Sequence, residues 1–135
     1  MSVPLYALIG FVFWTLALLV AIAVARMSKV LAGSARAGDF PSGVPHGSDA
    51  YWRLNRAHAN CVENLPLFAA VVLGASATGY ESGTFDDLAR VYVVARVIQS
   101  LVHISSGSER AVSMRFTAFL VQFVCLAWMA VALVL

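Results

Sequence analysis

The chain begins with an apolar run, residues 3–25, that contains no charged side chain. At about 1.5 Å per residue, a helix of this length crosses a hydrocarbon core of about 30 Å. A cleavable signal peptide is the competing interpretation, because Ala21, Ala23 and Ala25 imitate a small-residue cleavage site. However, no basic residue precedes the run, and the run is too long for a signal peptide. We therefore predict a membrane-spanning first helix.

Three more apolar stretches follow, and we predict spans at residues 3–26, 50–79, 88–105 and 111–135. A chain of 135 residues that is 61% hydrophobic and 12% charged cannot bury its apolar surface in a soluble fold. The predicted fold is an all-α integral membrane bundle of four transmembrane helices, a single domain over residues 1–135. We expect a polar loop at residues 26–47, an acidic turn at 80–87, and a helix cap at Ser48 or Asp49.

Basic residues predict the orientation of the chain in the membrane. The first and third loops and their flanks hold Arg26, Lys29, Arg36, Arg53, Arg110 and Arg115, whereas the second loop holds Glu81, Asp86 and Asp87. By the positive-inside rule, loops one and three are cytoplasmic and both termini are outside. The compact loops and the lack of a retention signal favour a bacterial inner membrane. The net charge of +2, without a clustered basic stripe, gives no reason to expect a nucleic-acid partner.

Two of the predicted helices carry a polar stripe. Spacings of three or four residues place each set on one helix face: Arg56, Asn60 and Glu63 on the second helix, and Arg96, Gln99 and His103 on the third. Charged side chains in hydrocarbon are costly unless they face protein or a ligand, so the stripes indicate a functional site. Arg96 is the best cationic partner for Glu63, and that pair alone could be a structural clamp.

Cationic and polar side chains remain in excess after that pairing, and they converge on the predicted cytoplasmic side: Arg26, Arg56, Asn60, Gln99, His103 and Arg110. Arginine forks bind carboxylates in a bidentate way, so a peptide-like ligand with two carboxylates and an ammonium fits this cluster. Alternatively, Arg26, Lys29 and Arg53 are interface anchors that reach toward lipid headgroups. Cys61 and Cys125 have neither metal nor disulfide spacing, so we expect buried free thiols and predict no metal site.

The chain resembles the MAPEG family, the membrane-associated proteins of eicosanoid and glutathione metabolism, over nearly its whole length. The resemblance rests on R-A-H-A-N-C-V-E-N-L-P-L-F in the second helix, A-R-V-I-Q-S-L-V-H in the third and E-R-A-V-S-M at the start of the fourth. Its most specific part is the signature Arg56, Asn60, Glu63 and Pro66. The resemblance implies a homotrimer of four-helix subunits that binds glutathione, as co-substrate, between neighbouring subunits near the cytoplasmic side.

The resemblance also implies roles for individual residues. Arg26 would contact glutathione, while Arg56, Asn60 and Glu63 would hold its charged ends, with Glu63 on the ammonium. Arg96 belongs to the same candidate binding set. Gln99 occupies a position where glutathione-using members often have histidine or tyrosine, and His103 occupies one where they often have tyrosine, so both depart from the family pattern.

The start of the fourth helix decides the chemistry that the resemblance implies. Active members have an arginine there, where a guanidinium stabilises the glutathione thiolate. Arg110 fits this catalytic position if the third loop is shorter than in the eicosanoid enzymes. Without that gap, the arginine position falls on Val112 and the serine that follows it falls on Ser113. Arg115 is then the second catalytic candidate.

Three functional hypotheses follow. The first is a glutathione transferase, with or without peroxidase activity, that joins the thiolate to a lipophilic small-molecule substrate arriving from the membrane lipid. The second is a non-catalytic lipid-binding or scaffold member like the lipoxygenase-activating branch, which has an aspartate where this chain has Glu63. The third is a small exporter that uses Glu63 as a proton carrier, although the spacing of Arg96 predicts a fixed cation that keeps this carboxylate ionised.

Overall fold

The computed structural model describes all residues, 1–135, as four α-helices with no β-strand. These are α1 (Val3–Leu31), α2 (Asp49–Thr78), α3 (Gly83–Ser105) and α4 (Glu109–Ala132). Each helix is long and apolar enough to cross a membrane. The prediction of an all-α, four-span bundle is therefore confirmed.

Local sequence explains how the helices begin and end. The Ser48 hydroxyl accepts a hydrogen bond from the Tyr51 backbone N–H at 3.1 Å and caps α2, as one of the two expected alternatives. The Ser108 hydroxyl caps α4 in the same way, through the Ala111 N–H at 3.2 Å. Gly79 ends α2 with φ of 68°, a left-handed conformation that a residue without a Cβ adopts readily. These residues fix where the connecting segments meet the helices.

Two helices, α1 and α3, extend five residues beyond the predicted spans. α1 continues to Leu31 instead of ending near residue 26, so Arg26 and Lys29 are helical and not part of the loop. Methionine, lysine and leucine are good helix formers, and the chain meets no breaker before Gly33. α3 begins at Gly83, because Asp86 in its first turn interacts favourably with the positive end of the helix dipole.

The core of the bundle is an aromatic cluster shared by three helices. Phe68 of α2 stacks on Tyr92 of α3 with ring centroids 4.3 Å apart, and Phe11 of α1 lies 6.1 Å from each ring. All three side chains are fully buried. Such aromatic pairs contribute about 0.5–1.5 kcal/mol beyond the area that they bury. The cluster fixes α1, α2 and α3 against one another.

The position of α4 shapes the surface on which polar residues collect. α4 packs mainly against α3 and only slightly against α2, whereas α1 packs against α2 and α3 and makes no contact with α4. α1 and α4 therefore do not close the bundle around a common centre. This arrangement leaves one cleft between α2, α3 and α4, and a second groove on the other side of the α3/α4 pair.

Candidate functional site

A cleft of about 350 Å³ lies between α2, α3 and α4. Its polar lining consists of Asn60, Glu63, Asn64, Arg96, Gln99, His103 and Arg115. The whole α3 stripe and two of the three residues of the α2 stripe, Asn60 and Glu63, thus line the same cleft. Val112, Phe116 and Phe119 of α4 add an apolar wall. The cleft therefore combines charged, amide and apolar surface.

Arg96 is the most deeply placed cation of this cleft. Its side chain is only 1% exposed, and its Nε and Nη2 atoms are buried without a hydrogen-bond partner. The guanidinium lies over the Phe11 ring, with 5.7 Å between Cζ and the ring centroid. Buried polar groups almost always have partners, so two unpaired donor atoms on one buried cation are unusual. Two hydrogen-bond donor atoms of Arg96 thus have no partner within the protein.

The expected ion pair between Glu63 and Arg96 is not formed, so the proposed clamp is wrong. The structure contains one ion pair, Arg90 with Asp87 at 2.7 Å, and it lies elsewhere. Glu63 is exposed on the surface of the chain, whereas Arg96 packs onto the aromatic core. The Glu63 carboxylate therefore has no cationic partner within the chain.

Amide side chains connect the walls of the cleft. Nδ2 of Asn60 lies 3.5 Å from Nδ1 of His103, which links α2 to α3. Gln99 of α3 donates to the Arg115 carbonyl at 3.1 Å and accepts from Nε2 of Gln122 at 3.0 Å. The buried Gln122 was missed in the sequence, although a lone amide within the apolar fourth helix was a usable signal. These contacts hold α4 at a fixed position beside the cleft.

Arg115 is the second cation of the cleft. It is half-buried on α4, and its guanidinium makes no hydrogen bond or ion pair, since only its backbone carbonyl has a partner. With Arg96 it gives the cleft two guanidinium groups against the single carboxylate of Glu63. The cleft therefore carries an excess of positive charge.

The arginines at the loop-one ends of α1 and α2 lie outside the cleft. Nε of Arg26 donates to the Tyr51 hydroxyl at 2.8 Å, and its guanidinium lies over the Phe40 ring at 5.4 Å. Arg26 and the exposed Arg56 line a separate cavity of about 280 Å³ under loop one. Nε of Arg53 donates to the Ile104 carbonyl at 3.2 Å. Within one chain, Arg26 and Arg53 are thus held by protein partners, and Arg56 does not reach the cleft.

Arg110 and Ser113, the remaining candidates, line the groove between α3 and α4. Each residue turns a helix by roughly 100°, so Arg110 and Arg115 project about 140° apart around α4. Only Arg115 therefore lies beside Asn60 and Glu63 within one chain.

Comparison with known families agrees with this architecture. The sequence model of the MAPEG family matches residues 4–135, nearly the whole chain. The chain belongs to the MAPEG family. A comparison with curated proteins gives no match. Family membership and the four apolar helices make this an integral, multi-pass membrane protein of a family that is generally involved with glutathione.

The cleft of this MAPEG protein suits the functional groups of glutathione. That tripeptide carries two carboxylates, one ammonium and a thiol. Arg96 and Arg115 offer guanidinium donors that no protein group satisfies, and Glu63 offers a carboxylate without a cationic partner. Asn60 and His103 add further hydrogen-bonding groups. The charges and hydrogen-bonding groups of the cleft thus complement those of glutathione.

Proposed function

We propose that this MAPEG protein is a membrane-bound glutathione transferase that joins the glutathione thiolate to lipophilic electrophiles. The observation that carries the proposal is the cleft itself, in which Arg96 and Arg115 have unused donors and Glu63 has no partner. A purely structural role would pair the buried Arg96 guanidinium within the protein, because unpaired buried charge is destabilising. A charged ligand provides the missing partners for Arg96, Arg115 and Glu63.

We assign each charged end of glutathione to a side chain of opposite charge. Glu63 accepts the ammonium, and Arg96 holds a carboxylate at the bottom of the cleft by charge-assisted hydrogen bonds. Arg115 lies beside the apolar wall of Phe116 and Phe119, where a lipophilic substrate would enter. We therefore assign to Arg115 the stabilisation of the thiolate, since a fixed cation lowers the pKa of a nearby thiol.

The reaction needs little else from the protein. The thiol gives its proton to solvent, and the thiolate sulfur forms a bond with an electrophilic carbon. A leaving group such as chloride departs with the electron pair of its bond. Apolar surface around the cleft concentrates the electrophile, because such compounds partition from water into the membrane.

We further propose that the active form is a homotrimer oriented with loops one and three in the cytoplasm. In one chain, Arg26 and Arg56 lie outside the cleft, beside loop one. The family resemblance assigns both to glutathione and assigns the ligand to the boundary between subunits. Trimer assembly would allow these arginines to contact a ligand in the cleft of a neighbouring subunit.

The test is conjugation of 1-chloro-2,4-dinitrobenzene to glutathione by the purified protein. We expect turnover by the wild type and a loss of about 100-fold in Arg115→Ala, a typical effect of removing one preorganised charge-stabilising donor. Arg36→Ala, which removes an exposed arginine of loop one, is the matched control and should retain activity. Glutathione binding without turnover would remove the enzyme proposal and favour the non-catalytic alternative.

A further inference from the structure

The groove between α3 and α4 is larger than the cleft, at about 650 Å³, and chemically different from it. Its lining is apolar along most of its length, through Val91, Val94 and Ile98 of α3 and Met114 and Val121 of α4. Most of these side chains are exposed. In a membrane-spanning helix pair, such a surface is solvated by acyl chains.

The groove contains one cation that is not neutralised. Arg90 lies at one end, but its Nη1 atom is paired with Asp87 at 2.7 Å. Arg110 lies at the other end, near loop three, and forms no ion pair even with the adjacent Glu109. The Ser113 side chain lines the groove one turn beyond Arg110. The uncompensated charge is therefore confined to the end near loop three.

The distance between that charge and the far end of the groove corresponds to one leaflet. Arg110 and Val121 are separated on α4 by about 16 Å at helical rise. One leaflet contributes about 15 Å of a hydrocarbon core about 30 Å thick. If Arg110 lies at the headgroup level, the apolar lining extends to about the middle of the bilayer.

We propose that this groove binds one anionic glycerophospholipid from the leaflet on the loop-three side. The phosphate and the acidic headgroup contact Arg110 and Ser113, and one acyl chain lies along the apolar lining. Charge complementarity selects this occupant: a zwitterionic lipid brings its own cation to the one unpaired guanidinium of the groove, whereas an anionic lipid does not. The site is separate from the cleft and does not depend on glutathione chemistry.

Lipid retention by the purified full-length protein tests the proposal. Native mass spectrometry of detergent-solubilised protein, mixed with phosphatidylglycerol or phosphatidylcholine of the same chain length, measures bound lipid of each kind. The wild type should retain phosphatidylglycerol in preference. Arg110→Gln should reduce that preference about fivefold, the factor expected for one basic residue near an anionic lipid surface. Arg36→Gln, with the same loss of charge in loop one, should leave it unchanged.

A groove-filling variant and a photo-crosslink make the test specific. Thr117 is exposed in the groove, so Thr117→Trp should displace lipid of either kind without disturbing the core. A photoreactive benzoylphenylalanine at the exposed Val94 should give a phospholipid adduct. Equal retention of both lipids by the wild type, an undiminished preference in Arg110→Gln, or a crosslink to a second copy of the chain would each overturn the proposal.

Discussion

Arg110 and Arg115 lie on the same helix, α4, yet they line different cavities: Arg115 the polar cleft and Arg110 the apolar groove. The sequence left both as candidates for thiol activation, because the choice depended on the length of loop three. Within one chain, the rotation of the helix puts only Arg115 with Asn60 and Glu63. We accordingly propose different ligands for the two arginines: the glutathione thiolate for Arg115 and a lipid headgroup for Arg110.

Replacing Arg115 should change how the transferase rate depends on pH. A guanidinium near the thiolate lowers the thiol pKa of bound glutathione, so its removal raises that pKa. The rising limb of kcat against pH should therefore move to higher pH in Arg115→Ala and return toward the wild-type position in Arg115→Lys. Arg110→Ala should shift the profile less. A larger shift in Arg110→Ala than in Arg115→Ala would exchange their proposed roles.

Glu63→Gln should weaken glutathione binding by about tenfold, which corresponds to about 1.4 kcal/mol. The reason is the loss of the proposed contact between its carboxylate and the ligand ammonium. N-acetylglutathione lacks that ammonium and provides the control, since its affinity should hardly respond to the substitution. Calorimetric titration of both ligands measures the difference. An equal loss for both ligands would show that Glu63 does not hold the ammonium.

Arg96→Met should separate binding from stability. Methionine is apolar and flexible, so it removes a cation whose Nε and Nη2 lack partners without leaving a large void. Replacing buried charge by apolar side chains is often neutral or stabilising, so thermal unfolding of the apo protein should not shift downward. Glutathione binding should fall. A marked drop in the melting temperature would instead indicate a structural role for Arg96.

Gln122→Leu should loosen the packing of α4 against α3. The substitution removes the bonds from Nε2 to Gln99 at 3.0 Å and to the Ala118 carbonyl at 2.9 Å, and it leaves Gln99 Oε1 without its donor. We expect a loss of about 1 kcal/mol in unfolding free energy, measured by denaturant titration in detergent. Ser76→Ala, at an exposed position of α2, is the control and should change little. Unchanged stability of Gln122→Leu would show that these hydrogen bonds do not stabilise the packing of α4 against α3.

The number and class of the helices could be predicted because they depend on long apolar runs. The C-terminal end of α1 and the N-terminal end of α3 could not be predicted, because residues 26–31 and 83–87 are compatible with either helix or loop. Helical spacing correctly predicted that Asn60, Glu63, Gln99 and His103 share faces that can meet. The Glu63–Arg96 pair failed for a different reason: periodicity gives the face of a residue but not the direction of a long side chain. Arg96 packs toward Phe11 because the aromatic core lies within its reach.

The buried amide of Gln122 shows a related limit. A sequence scan for charged stripes passes over a single glutamine among apolar residues, yet this side chain connects α4 to Gln99 at the cleft wall. Its partner, the carbonyl of Ala118, is set by the helix itself. The sequence does not reveal the second partner of Gln122, the Gln99 amide, because that contact depends on how α4 packs against α3.

Calorimetric titration of the purified protein with glutathione is the most direct test of the proposed cleft. We predict saturable binding by the wild type and by Arg36→Ala, and weaker binding by Glu63→Gln, Arg96→Met and Arg115→Ala. Absence of glutathione binding by the folded wild-type protein, or full retention of affinity in all three cleft variants, would contradict it.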